Sequence, residues 1–372
     1  MQSMGRQGEH DPLVSILIPT FNRAGYLQLA LESACAQTYP SLEIIVLDDA
    51  STDHTPAVVH AFQKRDDRIL YVRNHRNRGL VPNWRQGVEM AQGDFFCFLG
   101  DDDVLEPAFV ERLLEPLRQH PDLVLAFCDH WIIDGEGQRL PETSDRNTRR
   151  WRRTRLSEGP VDDFMRVALI DRAVFIGAVL FRRALVDPAF LADEARAMVD
   201  LWLLYRCAQQ GRAYYVPQRL ASCRWQPGGV SRSWQWRLYG FEGELFCYRH
   251  FLQDPALAPY RPIFEARLAY ALTTYGNTLL TLGQRMAARE RLRQALRLRR
   301  TLRSRVGYIL TFLGPFGSWI SQGARWLRSR LWPRPVPNYP EELFRQSVPE
   351  PSLKAAVSEG TSSASPPMSI VS

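Results

Sequence analysis

GDFFCFLGDDDVLEP, residues 93–107, sets the apolar run Phe95 to Leu99 one glycine before three consecutive aspartates, Asp101, Asp102 and Asp103. A run so uniformly apolar reads as a strand buried on both faces. Working outward, the same grammar recurs. Val14 to Pro19 ends in IPTFNR, Glu43 to Leu47 ends in LDDASTD, and Ile69 to Val72 and Leu123 to Phe127 complete the set, with helix-length segments between them. Strands alternating with helices predict an α/β fold, a mainly parallel sheet with flanking helices. Ligands of such sheets bind beyond the carboxyl ends of the strands, and here those ends are polar and acidic.

With 372 residues, 45% of them hydrophobic, the chain can bury a large core, which excludes disorder of the whole. No glycine-rich fingerprint follows the first strand, and GxxxxGK and HExxH are both absent, so dinucleotide, P-loop and zincin chemistry lack their parts. Six cysteines, at 35, 97, 128, 207, 223 and 247, form no CxxC and read as reduced core residues. None of the seven histidines has metal-ligand spacing. The N-terminus lacks an apolar leader segment, and no run reaches the ~18 apolar residues of a membrane span, so a cytoplasmic protein is expected.

Three adjacent carboxylates repel one another and call for a cation. Mg²⁺ or Mn²⁺ accepts carboxylate oxygens while leaving positions for a diphosphate. The same residues also suit a solvated turn that caps a helix beginning near Pro107. Asp48 and Asp49 have a similar double reading, as acceptors for a nucleobase or ribose or as caps of a helix beginning near Asp53, although Ser51 and Thr52 offer alternative caps.

The order of SILIPTFNR (15–23), IIVLDDASTD (44–53), NRGL (77–80) with Asn83-Trp84, and GDFFCFLGDDDVLEP resembles glycosyltransferase family 2, inverting enzymes of GT-A fold with a Rossmann-like nucleotide-binding sheet. The resemblance covers about residues 13–230. By position it implies that Pro19 meets the nucleotide, that Asp49 reads the base, that Asp101 contacts the ribose and that Asp102 holds the metal. Gly100 stands where the family's DxD motif has its first aspartate. MVDLWLLYRCAQQGRAYYVP, residues 198–217, is similar to the segment that carries the family's catalytic base. That implies Asp200 as base, with Val199 in place of the usual glutamate, Arg206 and Gly211 following, and Asp193-Glu194 as a competing pair. Arg224 to Gly228 resembles the closing segment, with Gln226 where histidine is common. Asn83, Trp84 and Arg85 are weaker candidates near the diphosphate, Trp84 reading more simply as core.

The implied activity is metal-dependent, inverting transfer of a sugar from a nucleotide-diphosphate sugar to a glycan or lipid-linked acceptor, in bacterial cell-surface polysaccharide biosynthesis. A GT-A protein that does not catalyse transfer, or a nucleotidyltransferase-like one, is the alternative.

The expected organisation is an extension at 1–12, the α/β domain at 13–230, a helical basic region at 231–335 and a disordered tail at 336–372. Residues 285–334 hold thirteen arginines against Glu290, a charge of +12, which leaves −5 for the rest of a +7 chain. Apolar residues at 288, 292, 295, 296, 302, 306, 309, 310 and 313 read as one helical stripe. Two readings stay open: an amphipathic element on the anionic inner face of the membrane, or a helical hairpin docked on protein. RNTRRWRRTR, residues 146–155, reads as a mobile surface loop or as a guide for a phosphorylated acceptor. Arginine clusters also attract nucleic acid, but that reading leaves the aspartate turns unexplained, and no nucleic-acid partner is expected.

Overall fold

A computed structural model describes residues 11–225 and 234–331. The chain begins β1 (Val14–Thr20), α1 (Ala24–Cys35), β2 (Leu42–Asp48), α2 (Thr55–Gln63), β3 (Ile69–Arg73), α3 (Leu80–Met90) and β4 (Phe95–Phe98). These strands pair in parallel in the order β3-β2-β1-β4. Alternate residues feed separate apolar clusters on the two faces: Leu17, Ile45 and Leu47 enter one, and Ile16, Ile18, Ile44 and Val46 the other. A two-residue period split between two cores is why the strands read as unbroken apolar runs.

The second half continues with β5 (Val104–Leu105), α4 (Phe109–Gln119), β6 (Leu123–Ile133), α5 (Pro141–Arg150), β7 (Gly159–Val161), α6 (Phe164–Leu169), β8 (Val179–Arg182), α7 (Val199–Ala208) and β9 (Arg212–Arg224). The full order is β3-β2-β1-β4-β8-β6-β9-β5, with β7 on β9. The sheet is therefore mixed beyond β4, because β8 runs antiparallel to both β4 and β6. It enters from the carboxyl edge, where Gly177 lies against Asp103, and so has to run back between its neighbours.

One local expectation is corrected. The segment 146–155 is not a mobile loop: it continues α5 into a 3-10 turn whose Arg153 is buried, donating to Asp129 at 2.8 Å and to the carbonyl of Ala173 at 3.0 Å. The 134–137 turn closes a short hairpin at the end of β6: Ile133 bridges Arg139, the Asp134 amide donates to the Gln138 carbonyl at 3.0 Å, and the Leu140 amide donates to the Ile132 carbonyl at 2.8 Å.

Helices follow: α8 (Trp234–Phe251), α9 (Arg261–Thr281), α10 (Arg285–Leu298), α11 (Leu302–Leu310) and α12 (Gly314–Leu331). One apolar cluster runs from β1 and β4 through α7 into α8, α9 and α10, so these helices share the core of the sheet. The single stripe expected over 288–313 is broken at 299–301, where Thr301 and Ser304 form a capping box that starts a new helix. Ala288, Leu292 and Ala295 are buried, whereas Leu302, Val306, Ile309 and Leu313 are exposed. All six cysteines are free thiols. Among the described residues, no helix is long and apolar enough to cross a membrane. Residues 1–10 of the expected extension, Gln226 to Gly228 and the tail at 336–372 lie outside the described residues.

Candidate active site

The carboxyl ends of β1, β2 and β4 lie side by side and bring Pro19, Asp49, Asp101 and Asp102 to one edge. The amide of Asp49 donates to the carbonyl of Thr20 at 3.0 Å, which ties the second turn to the first. Asn22 and Ala50, one in each turn, sit at positive φ of 54° and 65°, a conformation that side chains adopt only where the surroundings impose it. Pro19 is partly exposed and lies opposite Leu47 in the β1–β2 register.

Asp48 and Asp49 divide the work at the end of β2. Asp48 is fully buried and accepts from the Ser51 amide at 2.8 Å and the Tyr71 hydroxyl at 2.6 Å. Asp49 accepts from the amides of Arg78 at 2.7 Å and Gly79 at 2.8 Å and from the Asn74 side chain at 3.0 Å. It thus clamps the segment between β3 and α3, where Gly79 turns at φ +87°. The role of fastening the next helix falls to Asp53, which accepts from the Thr55 amide at 3.0 Å and the Ala24 amide at 3.0 Å. Neither Ser51 nor Thr52 is needed for it.

The aspartate turn is asymmetric. Asp101 is buried, and burial pushes its carboxyl up to about 6 against the opposing charge of Arg23. Asp102 is the more open, with 26% of its side chain exposed. Asp103 turns away from both, accepting the Arg224 amide at 2.9 Å, and burial together with Asp102 pushes it up to about 8. A side chain at position 100 would put its Cβ 2.8 Å from the Asp103 carboxylate, which gives Gly100 a steric reason of its own.

Two arginines, Arg23 and Arg224, complete this edge, and neither was a candidate site residue. Arg23 pairs with Asp102 and, at 3.3 Å, with Asp101. Its place directly after IPTFN at the end of a strand was the available signal. Arg224 donates to the carbonyl of Asp102 at 2.8 Å and to those of Asp134 and Gly135 at 3.0 Å, fixing the turn to the end of β9. No side-chain pattern announces contacts made to backbone carbonyls.

Among the described residues, no cluster of three His, Cys, Asp or Glu side chains converges to hold an ion. The donor set still fits a divalent cation shared with a diphosphate, because Mg²⁺ is commonly held by one or two carboxylates plus substrate oxygens. Asp102, with Asp101 beside it, would supply those oxygens, and Arg23 already shows that the turn recruits positive charge.

Asp200 lies in a different cluster, in the first turn of α7, where the helix dipole favours a carboxylate. It accepts from the Leu201 amide at 2.7 Å. Burial raises its pKa, opposed by that hydrogen bond and by the charge of Arg172. Gly211 has a packing reason, since a Cβ there would lie 2.6 Å from the Asp122 carbonyl. Arg206 lies 4.4 Å from the centre of the Phe190 ring. The weaker candidates are held by protein: Asn83 donates to the Leu47 carbonyl at 2.9 Å, Trp84 stacks on Phe98 at 4.4 Å, and Arg85 binds Leu191 and, at 2.8 Å, Asp193.

The sequence over residues 15–175 matches the family model for Glycosyl transferase family 2. GalNAc(5)-diNAcBac-PP-undecaprenol beta-1,3-glucosyltransferase of Campylobacter jejuni is 36% identical over 199 residues, covering 51% of this chain and 60% of that one. The putative glycosyltransferase EpsH of Bacillus subtilis is 34% identical over 114 residues, covering 31% and 33% respectively. The chain thus spans less than two thirds of the length of these curated relatives. Among solved structures, S. aureus TarS 1-349 in complex with UDP-GlcNAc superposes with a TM-score of 0.56 at 15% identity, over 86% of this chain and 92% of that one. At that identity the likeness is one of fold.

Proposed function

Residues 15–175 belong to glycosyl transferase family 2, and from that premise we propose that the protein transfers a sugar from a nucleotide-diphosphate sugar to a glycan or lipid-linked acceptor, with inversion. The observation that carries this reading is the meeting of Asp101, Asp102 and Arg23 at the carboxyl ends of β1 and β4, beside the turn held by Asp49. Such an edge suits a nucleoside diphosphate, with base and ribose toward Pro19, Asp49 and Asp101 and phosphates toward Asp102. The TarS relative was solved with UDP-GlcNAc, and the Campylobacter relative is named for an acceptor on PP-undecaprenol. Both support this donor and acceptor chemistry, and the lipid-linked acceptor in the Campylobacter name supports a place in bacterial surface-glycan assembly.

Asp102 and Asp101 are the residues that would hold Mg²⁺ or Mn²⁺, whose chemistry here is to neutralise charge on the leaving diphosphate. Asp200 acts as general base. Its carboxylate takes the proton of the acceptor hydroxyl as that oxygen bonds to the anomeric carbon and the bond from that carbon to the phosphate oxygen breaks. Burial raises the Asp200 pKa and with it the basicity of the carboxylate, and the charge of Arg172 opposes that rise. One displacement at one face inverts the carbon. A hydrolase would need two carboxylates flanking the bond, an arrangement for which Asp101 and Asp102, in one turn, are poorly suited.

The test is transfer by the purified chain, with the product's anomeric configuration read by NMR. Asp200→Asn is expected to lower the rate about 10²–10⁴-fold while donor binding persists. Transfer by this variant at the original rate would remove Asp200 from the role and turn attention to Asp193 and Glu194. Donor binding with no transfer to any acceptor would favour the non-catalytic reading.

A further inference from the structure

Helix α11 is inside out for a helix on a water-facing surface. Its inward side carries small or polar residues: Ser304, Gly307 and, just beyond, Thr311 are buried. A Cβ on Gly307 would lie 2.2 Å from the Asn277 side chain of α9, so close packing dictates the small residue. Arg289 of α10 donates to the Thr311 carbonyl at 2.9 Å and locks the end of the helix. Its outward side carries Leu302, Val306, Ile309 and Leu313, with Leu302 78% exposed and Ile309 60% exposed. The start of α12 repeats the inversion. Ser318 is buried, whereas Phe316 and Trp319, stacked at 5.6 Å, are 60% and 67% exposed. A packed helix ordinarily shows the reverse, and a contiguous exposed apolar face of this size marks an interaction surface.

Charge decides what covers it. Between residues 291 and 331 there are ten arginines and no acid. On the flank of α11, Arg293, which also pairs with Glu290 at 2.9 Å, and Arg297, Arg300 and Arg305 line an open depression of about 560 Å³ together with Leu296 and Tyr308. A second copy of this chain seated on the same face would bring like charges together. An anionic bilayer meets both halves of the surface at once: lipid phosphates face the arginines, while apolar and aromatic side chains enter the boundary between headgroups and acyl chains.

We propose that α11 and the first turns of α12 form an interfacial docking surface for an anionic lipid bilayer, with the four-arginine depression between α10 and α11 receiving lipid phosphate. This does not depend on glycosyl transfer, and its test does not measure transfer.

The full chain is sedimented with vesicles of phosphatidylcholine alone and of phosphatidylcholine mixed with phosphatidylglycerol. Binding is expected to be at least about tenfold stronger to the mixed vesicles and to weaken with salt. Ile309→Glu combined with Trp319→Glu should remove binding without lowering the melting temperature, since both side chains are exposed. Arg297→Gln with Arg300→Gln should leave the apolar face intact but abolish the preference for anionic vesicles. The proposal is overturned if the wild-type chain stays in the supernatant, or if the Glu variant pellets as well as wild type. It is also overturned by a dimer that the Glu variant dissolves without any vesicle binding, or by saturable binding of inorganic phosphate in place of vesicles.

Discussion

Arg23 and Asp102 form an ion pair across the mouth of the β1–β4 edge, with Asp101 a further partner of the same guanidinium at 3.3 Å. The arginine neutralises a turn that would otherwise hold adjacent carboxylates without a countercharge, and it engages the more exposed of the two. A divalent cation arriving there has to displace it. Arg23→Gln is therefore expected to tighten Mn²⁺ binding by the donor-free protein, on the order of tenfold, read by calorimetry with the metal alone. Unchanged affinity would mean that the ion does not use these carboxylates.

Asp49 holds two backbone amides and one side-chain amide in a buried position. Asparagine in its place has one acceptor oxygen, so one buried donor faces an NH₂ group. Asp49→Asn is expected to cost about 1–3 kcal/mol in urea unfolding and to loosen the 74–79 segment, weakening nucleotide binding as well.

Arg153 and Asp129 are a buried pair, and the arginine also ties 147 and 173 to β6. Removing Arg153 leaves the buried Asp129 with only the longer contact to Arg219, at 3.7 Å, as countercharge. Arg153→Met is expected to destabilise the fold by about 3–5 kcal/mol, measured by chemical denaturation.

Glu244 on α8 is buried opposite Arg172 of the 170–172 turn and Arg267 of α9, and burial pushes its carboxyl up to about 7 despite both cations. Tyr248 lies in the same group, bonded to Arg172 at 2.5 Å. Because the folded state keeps this proton longer than the unfolded state, the associated stability is full below pH ~4.5 and is lost as pH rises to ~7. The loss is on the order of 3 kcal/mol. Glu244→Gln should flatten the fall in melting temperature over that window. An unchanged slope would assign the pH dependence to other groups.

The strands were legible because a two-residue period on a sheet with two covered faces leaves unbroken apolar runs, and Val14, Ile69, Phe95 and Leu123 all open strands where expected. The acidic edge was legible for the same reason, since strand ends are visible in sequence. What was hidden depends on distant partners. β8 reads like any other strand, and only the segment carrying Gly177 beside Asp103 sets its direction. RNTRRWRRTR reads as solvated because nothing local shows that Asp129, 24 residues earlier, awaits Arg153. The periodicity of 288–313 was real, but a period does not tell an inward face from an outward one. α10 buries its stripe and α11 exposes it.

The most direct measurement is a thermal-shift screen of nucleotide-diphosphate sugars against the full chain, with Mn²⁺ present and absent, repeated on Asp102→Ala. The expected result is that at least one donor raises the melting temperature of the wild-type chain, that Mn²⁺ enlarges the shift, and that Asp102→Ala loses the metal-dependent part. No shift with any nucleotide sugar, with or without Mn²⁺, would contradict the assignment of this edge to a sugar-nucleotide donor.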